Sequence, residues 1–135
     1  MDLGQLQATL VYRQLMRRFE QSVQLDREAR WRWLTAAHIV GQHHFGLHVE
    51  SHMAMLGFAA KNRDIPEVAG QMFRLALVPI GHLTGRLPAG NIGRATVSAF
   101  TPMPLDALSR ELILGARMAV AEQQQDVNSS SEGAQ

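Results

Sequence analysis

Apolar residues recur three and four positions apart along most of this chain, the spacing of helices that bury one face. Leu3, Leu6, Leu10, Val11, Leu15 and Phe19 define a first helix over residues 3–22, with Arg13, Arg17, Arg18 and Glu20 on its other side. Asp26 suits the N-cap of a second helix, and Glu28 suits its positive dipole end. Trp31, Leu34, Ala37, His38 and Val40/Gly41 form its stripe. The pattern weakens over Gly41–His44, and Gly46 reinforces a break. A third helix is predicted from Leu47 to Asn62, with Val49, Met53, Leu56 and Ala60 facing the core. Asp64 and Glu67 have the spacing of a capping box, with Pro66 in the first turn of a fourth helix that runs to Val78, where Pro79 breaks or kinks it.

Residues 81–104, GHLTGRLPAGNIGRATVSAFTPMP, depart from this pattern. Glycine and proline dominate the first half, and the alternation in ATVSAF reads as a short extended piece. Loops this long in a small domain are uncommon and are often functional. Pro104 fits the first turn of a fifth helix, with Leu105, Leu108, Leu112, Ala116 and Ala119/Val120 facing inward. The polar tail is expected to be disordered. The expected fold is all-α: about five helices in antiparallel pairs, a Gly/Pro-rich wrapping loop and a last helix. Residues 1–122 form one domain and 123–135 a disordered tail. The second and third helices have the size and small-residue content of a tetratricopeptide-type hairpin, without a repeat strong enough for a solenoid.

Composition narrows the chemistry. The chain has 135 residues, 46% of them hydrophobic, and no cysteine. Disulfides, thiol nucleophiles, iron–sulfur clusters and cysteine–zinc knuckles are therefore excluded. A net charge of +1 supplies no field for nucleic acid. The apolar run Leu75–Leu83 is far short of the roughly 20 residues of a membrane span. The N-terminus lacks the basic and apolar regions of a signal peptide. We expect a soluble cytoplasmic protein that contacts neither membrane nor nucleic acid.

Four segments carry a resemblance to a known family. AAHIVGQ, HVESHMAML, EVAGQMFRL and above all GRLPAGNIGRATVSAFTPMP resemble a bacterial family of small helical proteins, domain-of-unknown-function family 3703, over residues 30–106. Its A-H-x-x-G-Q, H-x-x-x-H and G-N-x-G-x-A-x-V-S-A-F-x-P-M-P segments single out His38, Gly41, Gln42, His48, His52, Asn91 and Gly93. They pass over His43, His44 and His82. The resemblance implies no activity.

Five of the six histidines lie within residues 38–52. His48 and His52 are four apart, so on a helix they stack on one face and can share an ion. In this H-V-E-S-H segment Glu50 sits about 200° around the helix from His48. It cannot act as the general base of an H-E-x-x-H zinc protease. His38 lies one turn before the break, and helices packed about 8–10 Å apart would bring it to the other two. His38, His48 and His52 are thus a candidate three-histidine site for Zn, Ni, Co or Cu with an open position. His44 and His82 are lesser candidates, and His43–His44 sit in the turn.

Other readings are weaker. A noncovalent haem would need walls such as Trp31, Trp33, Phe45 and Phe58. Gly85 and Gly90 have P-loop spacing, but Asn91–Ile92 replace Lys-Ser/Thr and no strand precedes them. Asn91 is expected to bond the loop's backbone, and Arg86 and Arg94 are candidates for gripping a small anion. No general base or nucleophile pairs with the histidines, so metal handling or sensing is preferred to catalysis, without excluding a metal-dependent activity. The competing expectation is a helical interaction or self-association module, such as a homodimer, with no chemistry of its own.

Overall fold

A computed structural model of the chain describes residues 2–132. It contains five helices: α1 (Leu3–Gln21), α2 (Arg27–Gly41), α3 (Phe45–Lys61), α4 (Ile65–Thr84) and α5 (Ala107–Glu132). No strand occurs among the described residues. Short turns fold α1 against α2, α2 against α3 and α3 against α4, and α5 returns to pack on α1 and α2.

The caps follow their expected chemistry. Asp26 accepts the Ala29 N–H at 2.8 Å, and Asp64 accepts the Glu67 N–H at 3.2 Å, each satisfying a donor that the first helical turn leaves unpaired. The box at α4 is only half formed, because the Glu67 carboxylate turns inward instead of returning to its cap.

Two apolar clusters hold the helices together. Val11, Tyr12 and Leu15 of α1 meet Ala36 and Ala37 of α2 and Ile113, Ala116 and Val120 of α5. Trp31 and Leu34 of α2 meet Met55, Phe58 and Ala59 of α3, with Trp31 edge-on to Phe58 at 5.2 Å. Full burial of each large side chain stabilises by about 1.5–3 kcal/mol.

Several expectations are corrected. The buried face of α3 is Leu47, His48, Ser51, His52, Met55, Phe58 and Ala59. Val49, Met53, Leu56 and Ala60 lie on other faces, and Met53 is 54% exposed. Apolar spacing misreads this helix because three of its buried residues are polar and satisfied by each other and by α2 and α4. α3 also starts at Phe45, so Gly46 lies within it.

α4 does not end at Pro79 but continues to Thr84. Pro79 is exposed, so its ring projects to solvent and the helix resumes beyond the missing N–H. Left-handed Gly85 (φ 67°) then stops it, and the Arg86 N–H returns to the Gly81 carbonyl.

ATVSAF forms turns rather than an extended piece, and Pro104 precedes α5, which Asp106 caps by accepting the Ser109 N–H at 2.9 Å. Ser109 and Ile113 take the inward places expected of Leu108 and Leu112, which are half-buried. α5 runs on to Glu132, and residues 123–131 of it are exposed. Gln123, Gln124 and Gln125 extend a helix already nucleated, and the Ser129, Ser130 and Ser131 hydroxyls donate back to the Asp126 and Asn128 carbonyls. The Leu3 side chain and residues 133–135 of the expected tail lie outside the described residues.

Candidate metal centre

Beside the Trp31–Phe58 cluster, α2, α3 and α4 bury a group of polar side chains against one another. The turn after α2 reverses the chain within residues 42–44, so His38 faces His48 and His52 on the next helix. Ring centroids stand 5.0 Å apart for His38–His48, 4.6 Å for His38–His52 and 5.0 Å for His48–His52. One ring nitrogen from each lies within 4.8 Å of the other two, and all three residues are buried. In a tetrahedral site with metal–nitrogen bonds of about 2.0–2.1 Å the nitrogens stand about 3.4 Å apart, so ring shifts of about an ångström close the set.

The hydrogen bonds decide which nitrogens face inward. Ser51 Oγ spends its single proton on the His48 carbonyl at 2.8 Å, so it accepts from His38 Nδ1 at 3.0 Å. Gln71 Nε2 donates to Glu67 Oε1 at 2.7 Å and to the Gly93 carbonyl at 2.9 Å. Gln71 Oε1 is thereby turned to accept from His52 Nδ1 at 2.7 Å. His38 and His52 both carry their proton on Nδ1, which leaves Nε2 as a lone-pair donor. Metal-binding histidines are oriented in this way. His48 Nδ1 shares a hydrogen bond with His82 Nε2 at 3.0 Å, which occupies the same nitrogen on the third ring.

Burial drives all three imidazoles toward the neutral form. Loss of solvent, then the neighbouring His52, His82 and His43, push His48 down to about 3. Loss of solvent takes His52 to about 4; the Gln71 bond opposes this and the Arg74 charge adds to it. His38 falls well below its ordinary value for want of solvent and because His52, His48 and Arg74 are close. Neutral imidazole is the form that ligates, so protons do not compete for these nitrogens at neutral pH.

The Gly/Pro-rich loop closes the site. Gly93 (φ 77°) lies flat on the His38 ring: a Cβ there would stand 2.8 Å from Cδ2 and 2.9 Å from Nε2. Asn91 holds this turn, donating to the carbonyls of Ser98 (2.7 Å) and Thr101 (2.8 Å) and accepting the Gly93 N–H at 3.0 Å. Gly70 of α4 leaves room for loop residue Ala95, whose Cβ would be 2.3 Å from one added at Gly70. The Ala95 N–H donates to Glu67 Oε1 at 2.9 Å, tying the loop to the same carboxylate that orients Gln71.

The remaining candidates separate. His82 touches the edge of the triad through His48, carried there by the continuation of α4 past Pro79. His44 occupies the N-cap of α3 without a side-chain cap bond, and His43 is exposed; neither joins the triad. Glu50 faces α1, where Arg13 donates to it. Arg94 is held by Glu28 at 3.0 Å and Glu67 at 3.7 Å and stacks over Trp31 at 4.3 Å. Arg86 is exposed at the rim of a cavity beside the triad, so the two loop arginines do not grip one anion. Trp31, Trp33, Phe45 and Phe58 do not line that cavity.

Sequence reasoning missed Ser51, Glu67, Gln71 and Arg74. Glu67, Gln71 and Arg74 recur at helical spacing on the otherwise apolar α4, and that polar row was the available signal.

No curated protein and no solved structure is significantly similar to the chain. The model of the family described as Protein of unknown function (DUF3703) matches residues 6–113. That span runs from within α1 to the first turns of α5 and includes the loop and the triad, and the chain belongs to this family.

Proposed function

We propose that this protein binds a divalent transition metal through His38, His48 and His52 and serves in metal handling or sensing. The observation that carries the reading is the pair of locked tautomers: Ser51 and Gln71 each take up an Nδ1 proton and leave Nε2 of His38 and His52 for a ligand. Burying three imidazoles, a glutamine and a glutamate costs free energy that an apolar core would avoid. An ion bound by neutral nitrogen donors offsets that cost. Zn, Ni, Co and Cu all accept such a donor set. The Ser51 hydroxyl beside His38 spends its proton on the His48 carbonyl, and the His82 ring is engaged with His48, which favours binding over catalysis.

Metal analysis of protein purified without a histidine tag, followed by competition titration with Zn²⁺, Ni²⁺, Co²⁺ and Cu²⁺, tests the reading. We expect one equivalent of metal. Affinity no tighter than micromolar, about −8 kcal/mol, for all four ions would sink it.

A second reading, self-association through α4, is favoured by one observation. Met72, Phe73, Ile80 and Leu83 are exposed on that helix. Light scattering on the full chain would report a dimer, and a monomer at all concentrations removes this reading.

A further inference from the structure

The cavity beside the triad, about 280 Å³, has wall groups that the three histidines do not use. Arg74 lines it and is only 7% exposed. Its Nη2 donates to the Val97 carbonyl at 2.6 Å, yet among the described residues it forms no ion pair. Glu67 acts on it through space but makes no ion pair with it, because Gln71, the Ala95 N–H and Arg94 engage its oxygens. A buried guanidinium with no carboxylate in direct contact is costly, and its forked donors match one. Gln42 lines the same cavity and is 2% exposed. Its Nε2 donates to the Pro88 carbonyl at 3.2 Å, but its Oε1 has no hydrogen-bond partner. Leu77, Val78, Ile80, Leu87 and Phe100 make the rest of the wall largely apolar.

We propose that this cavity binds a small organic carboxylate, its anionic end on Arg74 and its apolar body against Leu77, Val78, Ile80 and Leu87. Gln42 Oε1 accepts from any N–H or O–H that the ligand carries. An inorganic oxyanion would satisfy Arg74 but leave the apolar wall uncovered, so the organic form is favoured. A dication on three neutral imidazoles would add positive charge beside Arg74 and strengthen the demand for an anion. In that respect alone the inference rests on the metal reading.

The test is calorimetric titration of metal-free and zinc-loaded protein with benzoate, with nitrobenzene as its uncharged isostere, and with inorganic phosphate. Benzoate should bind wild type at least about tenfold tighter than nitrobenzene, and Arg74→Met should remove that advantage. The isostere comparison on wild type needs no variant. If Arg74→Met fails to fold, Thr84→Trp at the exposed rim localises the site, and it should weaken benzoate by about tenfold through filling the space. Zinc-loaded protein should bind benzoate more tightly than metal-free protein. Equal binding of nitrobenzene, insensitivity to the variant that folds, or phosphate binding tighter than benzoate overturns the proposal. Benzoate binding without zinc binding overturns the metal reading and leaves this one standing. Zinc binding without benzoate binding overturns this one alone.

Discussion

His52 Nδ1 donates to Gln71 Oε1 at 2.7 Å, and that bond decides which nitrogen His52 has left for a ligand. Gln71 holds this orientation because its amide nitrogen is committed to Glu67 and to the Gly93 carbonyl. Gln71→Leu removes the acceptor and frees the imidazole to change tautomer and rotate. Loss of such an outer contact lowers metal affinity by about 10–100-fold. Competition with a chromophoric chelator measures it, and an unchanged zinc affinity would contradict the role given to Gln71.

His38→Ala and His52→Ala should each weaken zinc by more than the Gln71 change, because each removes a donor outright. Glu50→Ala should leave zinc affinity as it is, since that carboxylate meets Arg13 on α1 and not the triad. Metal content of the three purified variants separates the outcomes. Loss of zinc in the Glu50 variant would mean that α3 presents a different face.

Gly93→Ala should destabilise the fold by roughly 2–4 kcal/mol, from a left-handed backbone strained for alanine together with a methyl group driven into the His38 ring. Urea denaturation reads this as a lower midpoint. A loss below about 0.5 kcal/mol, the range of surface substitutions, would show that the loop does not press on His38.

Stability of the metal-free protein should fall as pH drops below about 6.5, the ordinary histidine value. In the folded chain His48 is depressed to about 3 and His52 to about 4, and His38 lies well below its ordinary value. Between these values the unfolded chain binds more protons than the folded one, so stability rises with pH. The contribution is fully present above about 6.5 and is lost as pH falls through the folded values. Each histidine kept neutral contributes about 1.4 kcal/mol per pH unit within that window. Denaturation midpoints between about pH 7.5 and pH 5 check the sign, and a flat profile would mean that the imidazoles are not buried neutral.

Much of the helical skeleton was legible because it rests on local chemistry. Asp26 and Asp64 cap as short carboxylates do, and Leu34 and Ala37 fall on a buried stripe set by a 3.6-residue period. The inward face of α3 is not legible from apolar spacing, because it is built in part from His48, Ser51 and His52. Pro79 does not end α4, because the helix gives up one backbone bond there and carries on to Thr84 with the proline exposed.

The sequence by itself determined that His48 and His52 share a face, that His38 lies one turn from the reversal, and that Glu50 points away. Those statements need only the pitch of a helix and the length of a turn. Only the tertiary structure decided that His82 reaches His48 while His43 and His44 stay outside, that Gln71 and Ser51 set the tautomers, and that Arg74 stands in the cavity wall with no ion pair among the described residues. The reason is geometric. Periodicity fixes each residue's angle about its own helix axis, but hydrogen bonds between helices depend on how the axes are rotated and packed against one another, and that is settled only when all the surfaces are buried together.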